Sequence, residues 1–211
     1  MESIIALKER LCYNRFSMVL KQEESHMKTA YLFFATGFEE VEALTVVDLL
    51  RRGGVDCKTV SVTGDYDVIG SHGITIRADL LFDETDLNAG EMLILPGGMP
   101  GTTNLKAHAG LTRLIEQYHG EGRYLAAVCA APTVYGEMGL LEGKNATCYP
   151  GMEDGLIGAN KLTDPVVVDG QFITSRGMGT CIDFGLKLLA LLTDEANAKV
   201  TGTRIVYSGL K

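Results

Sequence analysis

The chain has 211 residues, 46% hydrophobic and 22% charged, with 19 basic against 27 acidic side chains and a formal net charge of −8. That length suits one sizeable domain, and the acidic balance offers no electrostatic footprint for nucleic acid or an anionic membrane surface. No run approaches the roughly 20 apolar residues that span a bilayer, so neither a nucleic-acid nor a membrane partner is expected.

The first 26 residues are mixed and charged, with Lys8, Glu9 and Arg10 interrupting the apolar stretch. They lack the apolar core and small-residue cleavage site of a secretory signal. Met27 then precedes a run that reads as a first strand. Residues 1–26 are therefore read as an N-terminal extension, either a misplaced start or a short added helix, and 27–211 as the domain.

From Met27, short apolar runs alternate with amphipathic segments. Residues 30–35 (AYLFFA) read as a buried strand, and 39–54 as a helix closed by glycines. A second strand is expected at 56–63, then two short strands around a Ser-His-Gly turn within 66–79. Residues 91–98 (EMLILPGG) read as a strand entering a glycine turn, 111–123 as a helix, and 124–128 (YLAAV) as a strand. A helix is expected at 131–143, a strand near 145–149, a hairpin at 165–174, a helix at 180–192 and a last amphipathic segment at 194–207. This alternation predicts an α/β fold: one doubly wound, mostly parallel sheet sandwiched by helices in a single domain. In such sheets ligands bind outside the carboxyl ends of the strands.

Five cysteines (Cys12, Cys57, Cys129, Cys148 and Cys181) are odd in number and form no C-x-x-C pair. They read as reduced thiols in a cytoplasmic protein. The four histidines show no ligand spacing with one another, and no metal is expected. Cys57 and Cys181 are expected in the core, His108 and His119 at helix-end surface positions, and His72 in a turn. Arg51 and Arg52 end a helix, where cations are favoured.

Three loops at strand ends draw the chemistry together. Cys129 follows a buried strand and precedes a helix start, and helix N–H groups stabilise the reactive thiolate there. A buried structural cysteine fits the same local context equally well. Gly97 and Gly98 let the backbone approach a ligand, and the amides of Gly98 and Ala130 together suit an oxyanion. In the acidic stretch Glu39, Glu40 and Glu42, the first two read as a solvated first turn. Glu42 falls in a strip facing the sheet, where burial beside a thiolate would leave it protonated.

These residues lie in motifs that resemble the ThiJ/PfpI superfamily, in its Parkinson-associated deglycase and glyoxalase III branch. The matching motifs are GFEEVEA (37–43), LPGG (95–98), AAVCAAP (126–132) and TSRGMGTCIDFGL (174–186), and the likeness runs from Met27 to about Val206. The resemblance implies a flavodoxin-like fold, akin to the class I glutamine amidotransferase-like domain, and a homodimer. By motif, Cys129 corresponds to the reactive cysteine and Glu42 to its protonated partner. The Gly98 and Ala130 amides correspond to the oxyanion donors, with Gly97 beside them. Arg176 falls in a loop near the pocket. Tyr149 stands where the best-known members carry histidine, either donating a hydrogen bond or filling space. No histidine directly follows Cys129 and none occurs after His119, so protease-like and glutaminase-like mechanisms lose their base.

The resulting expectation is a cofactor-free enzyme converting small reactive dicarbonyls such as methylglyoxal to hydroxy acids through a Cys129 hemithioacetal, or removing early glycation adducts with the same residues. The alternative is a stress sensor whose Cys129 oxidises without significant turnover.

Overall fold

The computed structural model describes residues 27–209; the leader 1–26 lies outside them. Eleven strands and six α-helices follow in order: β1 Thr29–Phe34, α1 Glu40–Arg52, β2 Asp56–Ser61, β3 Asp67–Ile69, β4 Thr75–Arg77, β5 Leu80–Leu81, β6 Met92–Leu95, α2 Gly101–Ala107, α3 Ala109–Gly120, β7 Tyr124–Val128, α4 Pro132–Glu137, β8 Asn145–Ala146, β9 Asn160–Lys161, β10 Val166–Asp169, β11 Phe172–Ser175, α5 Cys181–Leu192 and α6 Glu195–Arg204.

Seven strands form the central sheet in the order β10-β11-β7-β6-β1-β2-β5. All neighbours are parallel except the β10–β11 hairpin. This is the doubly wound, mostly parallel sandwich that the alternating pattern predicts, and the flavodoxin-like fold that the resemblance implies.

Strand pleating sends successive side chains to opposite faces, and both faces are covered. Leu32 and Phe34 of β1 join Val46 and Leu50 of α1 and Phe184 and Leu188 of α5 on one side. Tyr31 and Phe33 join Ile115 and Tyr118 of α3 and Val134 and Tyr135 of α4 on the other. Each fully buried large side chain contributes about 1.5–3 kcal/mol of transfer free energy, and the sheet is apolar on both sides because parallel sheets need two covers.

β1 passes to β2 through α1 on one face, whereas β6 passes to β7 through α2 and α3 on the other. The crossover direction therefore reverses between neighbouring strands β1 and β6. That reversal opens a crevice at their carboxyl ends, into which the loops after β1, β6 and β7 all emerge.

Several expectations are corrected. The helix expected at 131–143 is only α4, because Met138 caps it and the chain turns at Gly139 and Gly143, with φ of 74° and 69°. The strand near 145–149 shrinks to β8. Neither α2 nor β5 was anticipated. His119 is half-buried and tilts against Phe172 at 5.6 Å. His108 caps the start of α3, its Nδ1 accepting the Leu111 N–H at 3.0 Å, and meets Phe82 edge-on. His108 packs on Phe82 and His119 on Phe172, so neither is the solvated helix-end residue expected. Cys57 and Cys181 lie in the core as expected, and His72 lies in the turn between β3 and β4.

Candidate active site

Glu42 lies in the first turn of α1 and is 1% exposed. Its Oε2 accepts the Gly97 N–H at 2.9 Å, which ties α1 to the turn after β6. The Glu39 N–H donates to the Gly97 carbonyl at 2.9 Å and fastens the same two loops again. Gly98, with φ of 88°, packs so closely that a Cβ would come within 2.4 Å of Glu39 N and 2.6 Å of Gly37 O. Only glycine fits there.

Cys129 directly follows β7 with φ of 63°, a left-handed conformation that is uncommon for a side-chain-bearing residue. Its N–H donates to Ser175 O at 3.0 Å and its carbonyl accepts the Tyr149 N–H at 2.8 Å. The strained turn, anchored on both sides, holds the half-buried Cys129 at the carboxyl end of β7. Small neighbours make this possible: Ala130 and Ala131 are buried, and a Cβ on Gly97 would sit 2.6 Å from Cys129 Cβ. The backbone N–H groups of Ala130 and Gly98 act on the thiol in the direction that lowers its pKa.

The electrostatics of the pair run against a simple helix-end thiolate. Burial, then the adjacent Glu42 carboxylate, push the Cys129 thiol up to about 12, against the pull of the Ala130 and Gly98 N–H groups. Burial likewise pushes Glu42 up to about 7, opposed by hydrogen bonds from Cys129, Gly97 and Met178. Two acids this close do not both ionise, so near neutrality the pair carries at most one negative charge. Burial and the neighbouring carboxyl thus oppose the backbone donors that a helix start brings to the thiol, and the pair shares its charge.

Tyr149 is 51% exposed, with its ring lying against Gly177. A Cβ on Gly177 would be 3.4 Å from Tyr149 Cδ2 and 3.9 Å from Glu42 Oε1, so Tyr149 borders the carboxyl. Arg176 precedes Gly177 but its charge acts on Cys148, one residue before Tyr149. Cys181 is buried, its Sγ donating to Gly177 O at 3.3 Å. Cys148 is buried too, with its thiol pushed up to about 11 chiefly by burial.

Glu39 and Glu40 were expected to be solvated, and Glu40 is not. It is 3% exposed, accepts the His72 N–H at 2.8 Å on Oε1, and meets His72 Nδ1 at 2.9 Å on Oε2. Burial alone would raise this carboxyl, but the His72 ring, its own and the His72 backbone N–H groups and the Ser71 hydroxyl bring it down to about 2. Glycine at 70 leaves room for it, since a Cβ there would lie 2.3 Å from Glu40 Oε1. Ligand atoms of Glu39, Glu40 and His72 fall within 4.8 Å of one another, a spacing a cation would accept. Clefts of about 440 Å³ and 290 Å³ gather around Phe82 and His108 and include none of the residues around Cys129. Among the described residues, no helix is long and apolar enough to cross a membrane.

Known proteins match this arrangement. The DJ-1/PfpI family model matches residues 28–191. The chain is similar to protein DJ-1 homolog B of Arabidopsis thaliana, 37% identical over 185 residues, which are 86% of this chain and 42% of that protein. It is 34% identical to protein dj-1beta of Drosophila melanogaster, over 86% of this chain and 99% of that one. A Pyrococcus horikoshii protein named a deglycase is 31% identical over 71% of this chain and 90% of its own length. The solved structure of oxidized DJ-1 from Toxoplasma gondii superposes with a TM-score of 0.83 at 31% identity, covering 86% of this chain and 99% of that one. The chain spans less than half the length of the Arabidopsis relative. On the matched motifs, the shared sheet and these likenesses, the chain belongs to the DJ-1/PfpI family.

Proposed function

We propose that the protein converts small 2-oxoaldehydes such as methylglyoxal to 2-hydroxy acids without a cofactor. One observation carries this reading: a buried carboxyl is fastened by the Gly97 N–H directly beside the half-buried Cys129, and burial there pushes that carboxyl up to about 7. A group whose pKa matches the working pH serves as both acid and base.

Glu42 as carboxylate takes the Cys129 proton while the sulfur bonds to the aldehyde carbon. The developing oxyanion meets the amides of Gly98 and Ala130 and then receives that proton, giving the hemithioacetal. Glu42, again a carboxylate, removes the hydrogen on the sulfur-bearing carbon, and the resulting enediol is reprotonated at the neighbouring carbon. The product is a thioester of the hydroxy acid. Water cleaves it, releasing the acid and returning the proton to sulfur. Removal of early glycation adducts would use the same thiol and carboxyl. The deglycase name of the Pyrococcus horikoshii relative supports an enzymatic role in this family.

A redox-sensing role is favoured by a different observation: Cys129 is the one described cysteine that is not buried. The deciding experiment measures D-lactate formed from methylglyoxal without glutathione by the wild type, Cys129→Ala and Glu42→Gln. Turnover lost in both variants supports the dicarbonyl reaction. An inert wild type whose Cys129 alone oxidises under mild peroxide replaces it with the sensor reading.

A further inference from the structure

The glycine turns around the site are mostly filled by the protein itself. A Cβ on Gly37, Gly97, Gly98 or Gly101 would lie 2.4–2.6 Å from its nearest protein atom. Gly177 differs. A Cβ there would meet Tyr149 Cδ2 at 3.4 Å, Tyr149 Cε2 at 3.8 Å and Glu42 Oε1 at 3.9 Å, with no nearer atom outside its chain neighbours. Those are ordinary contact distances for carbon. The space over Gly177 therefore admits a carbon, and its walls are the edge of the Tyr149 ring and the second oxygen of Glu42.

The carboxyl sets this slot relative to the thiol. Glu42 Oε2 is on the Cys129 side: it accepts the Gly97 N–H at 2.9 Å, and a Cβ on Gly97 would lie 2.7 Å from it and 2.6 Å from Cys129 Cβ. Glu42 Oε1 is on the Gly177 side. Tyr149 is held there by its backbone, whose N–H donates to the Cys129 carbonyl at 2.8 Å and whose carbonyl accepts the Met152 N–H at 3.1 Å. Its ring is half exposed, and Met178, next to Gly177, is a second exposed apolar side chain. Thiol, carboxyl and slot thus follow one another across the site. A 2-oxoaldehyde bonded to sulfur through its aldehyde carbon has its ketone carbon next, beside the carboxyl. The substituent on that ketone carbon continues over Gly177.

We infer that Tyr149 sets the substrate class: neutral 2-oxoaldehydes whose ketone carbon carries a flat apolar group, with phenylglyoxal as the type, that group lying over Gly177 against the tyrosine ring. The reaction rests on the dicarbonyl reading; the selection of an apolar group beside Cys129 does not. A methyl substituent reaches only the near edge of the ring, whereas a phenyl group gains ring-to-ring contact and buries more apolar surface, an advantage of about tenfold. A charged or hydroxylated substituent would give up water to an aromatic edge and is selected against.

The test measures kcat/KM for phenylglyoxal and for methylglyoxal, without glutathione, in the full-length wild type, Tyr149→Phe and Tyr149→Ala. Comparing the ratio of the two substrates between proteins cancels their intrinsic reactivity and any general loss from a loosened fold. Tyr149→Ala should lower the phenylglyoxal to methylglyoxal ratio about tenfold. Tyr149→Phe keeps the ring and should hold the wild-type ratio. If Tyr149→Ala does not fold, Tyr149→Gln is read for the same fall. A ratio unchanged without the ring overturns the assignment. Equal falls in Tyr149→Phe and Tyr149→Ala overturn it too, since the hydroxyl would then select. If the wild type turns over neither substrate, the dicarbonyl reaction fails and the slot is read from the thiol itself. Alkylation of Cys129 by N-benzyliodoacetamide and by iodoacetamide is then followed by peptide mass spectrometry. A benzyl preference that Tyr149→Ala loses leaves the slot standing without the reaction. No preference in the wild type, or one that survives in Tyr149→Ala, overturns the slot as well.

Discussion

Gly97 separates Glu42 from Cys129 by the width of a missing side chain: a Cβ there would lie 2.7 Å from Glu42 Oε2 and 2.6 Å from Cys129 Cβ. The two reactive groups meet because nothing larger than hydrogen stands between them. Gly97→Ala must push one of them aside, and misplacement of about 1 Å costs on the order of a hundredfold in rate. The expected result is a folded protein with kcat/KM for methylglyoxal down by about that factor, checked by steady-state kinetics beside a circular dichroism spectrum. Unchanged kinetics would mean that the pair does not act together.

Activity and stability respond to pH in opposite senses through Glu42. The carboxyl titrates near 7 in the fold and near 4.5 in the unfolded chain. Between those values the folded chain keeps a proton that the unfolded chain has lost. The stability this provides is complete below about 4.5 and is lost as pH rises through about 7. The whole span amounts to roughly 3 kcal/mol, at about 1.4 kcal/mol per pH unit. Urea unfolding across this window should show Glu42→Gln gaining on the wild type as pH rises, then holding level. Turnover by the wild type should instead climb over the same window, as the carboxylate becomes available as base.

The Glu40 contacts make the opposite prediction. Glu40 is held down to about 2 from a normal 4.5, so its contribution is present above 4.5 and disappears as pH falls through about 2. Glu40→Ala strands the His72 N–H and the Ser71 hydroxyl and should cost about 1–3 kcal/mol at neutral pH. His72→Ala should cost less, since the ring is exposed and the buried carboxylate keeps its backbone and hydroxyl donors. Equal losses from both variants would show that the ring, and not the carboxylate, organises the turn.

Gly136 sets helix propensity against packing. Alanine in the interior of a helix gains about 1 kcal/mol over glycine. A Cβ at this position would stand 2.2 Å from Gly155 O and 2.8 Å from Ile157 N, both backbone atoms that cannot swing away. Overpacking costs about 1–3 kcal/mol, so Gly136→Ala should lower the melting temperature. A rise would mean that the 153–155 turn yields freely.

The parts legible in sequence were those whose signal is local. The apolar runs 30–35 and 124–128 announce buried strands, and the glycines at 97 and 98 after such a run announce a turn that a ligand reaches. Cys129 is visible because apolar and small residues bracket it. Glu40 was misread because its partners, Ser71 and His72, lie more than 30 positions away in a turn whose docking depends on tertiary contacts. The short α2 was missed because GTTNLKA holds a glycine and two β-branched threonines, which weaken helical propensity. The helix beyond 137 was overextended because periodicity continued through glycines that the chain uses to turn. The thiol's surroundings were legible only in part: a helix start suggests donors, but sequence does not give the depth of burial that opposes them.

The left-handed turn at Cys129 has a consequence for how this protein would respond to selection. A side chain at φ of 63° costs about 1–2 kcal/mol that glycine would not incur. Position 129 is thus occupied by a residue the backbone itself disfavours. A library randomised there and sorted for heat resistance alone would drift toward glycine and lose its sulfur. The same library sorted for capture by a thiol-reactive probe would hold cysteine and accept the lower melting temperature.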